Sequence, residues 1–477
     1  MDTASQTTVR FRLSPQQRRA WALQAAQARP VHHAACVLVL EGALAEGVLR
    51  RAVERVAERH EILRTLFRPL PGTRMPVQTI QEGLPPAWTC LDGEGPPPDD
   101  AGAAGALLSR LEGEPVAYAE GPVFRAVLLP TTPGRHLLAL DLPALSADAG
   151  TLCNLAGEVA AAYASLAAGE EIAAPEIQYG DVSEVFNDLL ESEETRAGRK
   201  YWAAATPAAR AARGEFVPRV AVRTLEPGLS ARVRELAAAL EAPVAAVPLA
   251  AWGLLLARTR EATGVGVALD GRVYEGLDTA LGAFARYLPL PTAARGTFRE
   301  VVAATSAALA EHHEWQDYFD PLADLGDGAA YAFGFDWTEL PPGREAAGVT
   351  FRLSDLRART ERFDLRLSCL EQGGVVRLVI EHDQGRVSPE EAERVAERFL
   401  VLLEDALRLP DAPAHDLELL PAAEHERVLA LGRAPGGAPA RGCIHEAFAA
   451  QAARTPDRAA VVCGGRSLTY AELDVGG

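Results

Sequence analysis

The chain has 477 residues, of which 48% are hydrophobic and 23% charged, with a formal net charge of −18 and six cysteines. That length and composition predict an average globular protein of two to four folding units, at roughly 100–200 residues each. The acidic balance without a basic patch speaks against nucleic acid, scattered cysteines without CxxC spacing speak against zinc, and the lack of a leader-like N-terminus or a charge-free apolar run of about 18 residues speaks against export and a membrane span, which leaves the cytoplasm as the expected compartment.

In chain order, "ACVLVLEG" is strand-like, and "LAEGVLRRAVERVAERHEILRTLF" (44–67) spaces its apolar residues three and four apart, which predicts an amphipathic helix. "GPVFRAVLLP" and "GRHLLALDLP" are strand-like runs joined by a "TTPG" turn, and "TLCNLAGEVAAAYASLAAG" predicts a helix stopped by glycine. These elements make a first α/β block. A helical stretch, "AAPEIQYGDVSEVFNDLLESEETRAGRKYWAAA", leads to a second. There "VPLAAWGLLLARTR" is a buried helix, "GVGVALDGRV", "GAFARYLPLP", "AAYAFGFDWTEL", "FDLRLSCLEQ" and "GVVRLVIEHD" are strands, and "SPEEAERVAERFLVLLEDALRL" opens with a good helix start. Both blocks mix strands and helices, as related lobes would, and no short repeat suggests a solenoid. The Pro-, Ala- and Gly-rich 409–442 reads as a linker with one short helix. The tail 443–477 reads as helix, strand, turn and strand, too short for a domain of its own.

Together these residues resemble the condensation domain of nonribosomal peptide synthetases followed by the first residues of an adenylation domain. The resemblance rests on "FRLSPQQRRAW" (11–21), "RHEILRTLF" (59–67), "YGDVSEVF" (179–186) with "YW" (201–202), "LGAFARYLPL" (281–290), "WQDYF" (315–319), "RFDLRLS" (362–368) and "LTYAEL" (468–473), which run in the family's order. "WQDYF" departs from its motif, which usually begins with His and carries a Pro. The resemblance implies an α/β fold of two chloramphenicol-acetyltransferase-like lobes forming a V with a central tunnel. The expected boundaries are 1–175 and 176–425 for the lobes, 426–442 for the linker and 443–477 for the adenylation fragment. It further implies carrier proteins as partners, bringing thioesters on 4'-phosphopantetheine arms, and amide formation as the family's reaction. No cofactor or metal is expected to bind directly, because ATP and magnesium belong to the absent part of the adenylation domain.

The family's central motif is His-His-x-x-x-Asp-Gly on a strand–loop–helix. Here "HLLALDLPALSADAGTL" places Pro143 and Ala144 at the His positions, Asp148 at the Asp and Ala149 at the Gly. The second His is credited with orienting or deprotonating the attacking amine, and alanine does neither. An acid–base substitute must reach within about 3 Å of the amine. Asp141 is the second candidate, on the same strand face as Pro143 by period-two alternation. Paired Asp residues of heterocyclisation domains are four apart, a spacing that Asp141 and Asp148 do not match. The resemblance implies that Asp148 forms a structural ion pair with Arg64. Arg286 and Ser146 are tunnel candidates, Arg286 with surface pairing as its alternative. His312 and His313, and likewise His32 and His33, read as solvated pairs, and His60 as a packed supporting residue.

Three functions compete. The chain is a condensation-family scaffold or docking platform for a carrier or a tailoring enzyme, or an altered amide-forming enzyme that works by positioning, or a free-standing acyltransferase. The last lacks a catalytic His. A base contributes about 10²–10⁴ in rate and proximity effective molarities of about 10⁵–10⁸ M, so the loss of the His disfavours ordinary condensation without abolishing it. No upstream carrier is expected within the chain.

Overall fold

The computed structural model of the chain describes residues 9–92, 100–170, 175, 177–205, 210–211, 214–325, 329–432 and 443–476. They form a large unit ending at Leu419 and a smaller one, Leu420–Gly477.

The large unit is built on two six-stranded mixed sheets. In the first, the strand His33–Gly42 is buried on both faces, which explains its nearly continuous apolar run. Ala34, Cys36, Leu38 and Leu40 face the helices Glu46–Arg59 and Ala149–Ala168, while Ala35, Val37 and Val39 face the helix Asp100–Leu111. Its neighbours are Arg135–Pro143 on one side and Val349–Ala358 on the other. The latter belongs to the second half of the sequence, so the first sheet is completed by a strand from beyond the expected boundary at 175. The alternation of "VTFRLSDLRA" (349–358) carries the strand signal there.

In the second sheet, period two separates core from cavity. Leu365, Leu367 and Cys369 join Trp252, Phe298 and Phe399 of the helices Ala246–Arg260, Phe298–Trp315 and Pro389–Arg408 in a core. Arg366, Ser368 and Leu370 point the other way and line a cavity. Two α/β lobes therefore result, as expected.

One predicted helix is shorter than its pattern. It stops at Arg59, His60 is extended, and 61–64 makes a single tight turn. Thr65–Arg68 then pairs antiparallel with Val77–Ile80. The apolar spacing of "ILRTLF" fits either structure, and the available strand partner decides it. The smaller unit holds the helices Ala422–Gly432 and Ile444–Arg454 and a hairpin of Ala459–Cys463 with Arg466–Thr469. Most of the expected linker, 433–442, lies outside the described residues.

The turn after the strand Gly264–Leu269 depends on Gly271. Its φ is +76°, and a Cβ there would meet the Phe284 carbonyl oxygen at 2.4 Å. Gly271→Ala should cost about 1–3 kcal/mol, read as a lower urea midpoint; an unchanged midpoint would show that the turn relaxes freely.

Candidate functional site

The strand Arg135–Pro143 delivers the chain to a tight loop, with the Ser146 N–H donating to the Pro143 carbonyl at 2.8 Å. Ala144 is fully buried against Leu13, Ala20, Phe67 and Leu145, and its N–H donates to the His32 carbonyl at 3.2 Å. Asp148 then caps the helix Ala149–Ala168, its Oδ1 accepting from the Thr151 N–H at 2.7 Å.

The partner of Asp148 is Arg272, not Arg64. Arg272 Nη2 reaches Oδ1 at 2.9 Å and Nη1 reaches Oδ2 at 3.2 Å. Oδ2 also accepts the N–H groups of Phe284 and Ala285 at 2.8 and 2.7 Å. Burial pushes this carboxyl up, but Arg272 and the N–H donors outweigh burial and hold it below its ordinary value. Arg64 faces Glu61 at 3.7 Å instead, because the tight turn 61–64 directs it along its own segment. The "DGRV" turn carries Arg272, and nothing in the local sequence links it to the loop.

Asp141 is not available as a base. Its oxygens are taken by His33 Nδ1 at 2.8 Å and Arg125 Nε at 2.8 Å, and it is fully buried within its sheet. Neither it nor Ser146 is among the residues lining the cavities described next. Ser146 is also buried, and among the described residues its hydroxyl has no hydrogen-bond partner. The histidine pairs differ from expectation as well. His32 stacks on Phe216 at 5.8 Å and burial pushes its pKa down to about 3, so it is neutral. His312 is buried between the Tyr201 hydroxyl and the Pro289 carbonyl, whereas His313 is exposed. His60 is buried beside Glu158, in line with its expected packed role.

Two cavities meet at this loop. Asp148, Ala285, Tyr287 and Thr360 contribute to the walls of both. The larger, of about 370 Å³, lies between the start of the helix Ala149–Ala168, the end of the strand Val349–Ala358 and the open face of the second sheet. Cys153 in its wall is a neutral thiol, because burial pushes its pKa up to about 12. The smaller cavity, beside Ala144, is about 20 Å³. That is space for about one water molecule.

Arg286 is one of the residues that line the smaller cavity. It is 2% exposed, pairs with Asp317 and lies over the Phe186 ring at 4.8 Å. A second buried pair, Arg19 with Glu361 at 2.7 Å, also lines that cavity. Arg286 is thus both inward-facing and ion-paired, two alternatives that the sequence presents as exclusive. Among the described residues no group of three or more His, Cys, Asp or Glu side chains is arranged to hold a metal, and no helix is long and apolar enough to cross a membrane.

Comparison with known proteins places this geometry in context. The family model for the condensation domain matches residues 8–429. Surfactin synthase subunit 2 of Bacillus subtilis (strain 168) is 26% identical over 97% of this chain, which spans 13% of that relative's length. Among solved structures, the first condensation domain of the CDA synthetase superposes with a TM-score of 0.75 at 22% identity, covering 87% of this chain and 99% of that one. The X-domain from teicoplanin biosynthesis superposes with a TM-score of 0.72 at 23% identity, covering 88% and 99%, and it has also been solved in complex with OxyB.

The corrected ion pair has a direct test. Asp148→Asn should lose about 1–3 kcal/mol of stability, since Arg272 and the N–H donors lose their charged acceptor while Arg272 keeps only its second partner, Asp270. Arg64→Gln should lose less than about 1 kcal/mol. Because the folded-state pKa of Asp148 is depressed, its contribution is present above the ordinary carboxylate range near pH 4 and is lost as pH falls through the folded value. The acid limb of the unfolding profile should therefore flatten in Asp148→Asn. Equal losses in the two variants would contradict the assignment.

Proposed function

Since the chain belongs to the condensation-domain family, we propose that it receives carrier-bound thioesters of a nonribosomal peptide synthetase without catalysing ordinary amide formation. It acts as a scaffold or docking platform beside an adenylation domain, whose opening residues are 443–477. The observation that carries this reading is the space beside Ala144. Alanine stands where a base is needed, and about 20 Å³ remains there, bounded by Arg286 and by the Arg19–Glu361 pair. So narrow a space disfavours an attacking amine and a thioester meeting beside Ala144 unless Arg286 moves.

The larger cavity supports retained substrate handling. It keeps about 370 Å³ and reaches the shared wall at Tyr287, so one phosphopantetheine arm has somewhere to go. One arm held and no second arm admitted is a docking function. The phosphopantetheine comes with the carrier, and ATP with magnesium serves the adenylation domain. A tailoring enzyme is a further proposed partner, in keeping with the teicoplanin X-domain having been solved in complex with a second protein, OxyB. The alternative, amide formation by positioning alone, draws on the same cavity, and proximity is large enough in principle to offset a missing base.

Carrier proteins loaded with an acyl donor and an aminoacyl acceptor, mixed with the chain and followed by intact-protein mass spectrometry, separate the two readings. The wild type should give no amide above the no-enzyme control, and Ala144→His combined with Arg286→Ser should raise the rate by about 10²-fold or more. Rapid amide formation by the wild type would overturn the docking reading.

A further inference from the structure

Elsewhere in the first lobe, the sheet and the helix laid on it leave a gap. Leu38, Phe351 and Leu353, on two neighbouring strands, face the middle of the helix Ala149–Ala168. There the helix presents Ala156 and Ala160, one turn apart on the same face, with Gly157 beside them. Three small residues against three large ones leave a cavity of about 410 Å³, open to solvent where the segment 341–343 passes. A Cβ on Gly157 would meet no atom of the described residues within 4 Å. The cavity shares no wall residue with the two beside the loop. Sheet–helix interfaces are normally filled to the density of an organic crystal. An apolar space left in one offers water no partners and accepts apolar ligands.

The mouth of the cavity is polar, formed by Arg344 and Glu345. Glu345 accepts a hydrogen bond from the Thr350 hydroxyl. Arg344 is exposed, and among the described residues its guanidinium meets no carboxylate. Its Nη1 makes one long contact, to the Gly157 carbonyl at 3.5 Å, which places the guanidinium beside the opening. Small-molecule sites are of this kind: a few hundred Å³, mostly apolar, with few polar groups that fix orientation. An apolar slot with an unpaired cation at its edge suits an aliphatic chain that ends in an anion. A free carboxylate gives the guanidinium a charged, two-oxygen partner. A carrier-borne acyl thioester has no charge at that end and gives it none.

We propose that this cavity is a separate ligand site that binds a free medium-chain aliphatic carboxylate, its chain between the first sheet and the helix and its head group on Arg344.

Calorimetry of the full chain with hexanoate, octanoate, octanol and octylamine tests it. Affinity should rise about 10-fold from hexanoate to octanoate, the gain expected for burying two more CH₂ groups. Octanoate should bind about 10-fold or more tightly than octanol or octylamine, and Arg344→Gln should remove that preference. Gly157→Trp should abolish octanoate binding by filling the opening, with the melting temperature unchanged or raised because glycine is a poor helix former. Undiminished octanoate binding by a folded Gly157→Trp overturns the location. Octanol or octylamine binding to the wild type as tightly as octanoate overturns the carboxylate assignment, and that comparison needs no variant to fold. No binding of octanoate by the wild type overturns the site outright and leaves the docking function intact.

Discussion

The buried pair between Asp148 and Arg272 is the constraint on which the rest of the site depends. Asp148 ends a loop that begins at a strand of the first sheet, and Arg272 lies in the turn leaving a strand of the second. The same carboxylate accepts two backbone N–H groups from 284 and 285, and Thr151, one turn into the capped helix, exchanges hydrogen bonds with Gly282. Desolvating a carboxylate and a guanidinium costs several kcal/mol per ion. The cost is offset because nearly every oxygen lone pair is met by a donor. Removing the charge would loosen the capped helix and the 270–285 segment together.

This joint gives a physical reason for the mixture of kept and replaced residues in the motif. The Asp holds two lobes in register, a task that persists whether or not any bond is made in the cavity. The resemblance assigns the two His positions to the reaction alone. Pro143 and Ala144 satisfy the backbone and pack well, with Ala144 enclosed by Leu13, Phe67 and Leu145. On the proposed docking reading no base needs space there, and Arg286, paired with Asp317, lines the smaller cavity. The result is asymmetric: a roomy cavity on one side of Tyr287 and a nearly filled one on the other.

Much of the fold was legible in the chain because it is written locally. Continuous apolar runs marked the buried strands, and Ser388 and Gly169 marked helix ends where the structure has them. The alternation in "RFDLRLS" separates core from cavity residue by residue. What was not legible depends on contacts distant in sequence. The strand Val349–Ala358 crosses into the first sheet, which no local pattern announces. Arginine supplies nearly all the positive charge, so choosing Arg272 over Arg64 as the partner of Asp148 needs the topology. The pair His32 and His33 reads as a polar loop, yet both are buried, one stacked on Phe216 and the other bonded to Asp141. Asp336 and Glu381 sit on strands with ordinary patterns, and only the meeting of those strands with the end of Val349–Ala358 shows a shared cavity.

The central claim is that the path past the loop is closed at Ala144. A crystal structure of the chain with a pantetheine amide probe bound tests this most directly. The account predicts density for one arm in the larger cavity, ending at the Tyr287 wall, with Arg286 still paired to Asp317 and no more than a water beside Ala144. An arm running past a displaced Arg286 to contact Ala144 would contradict it.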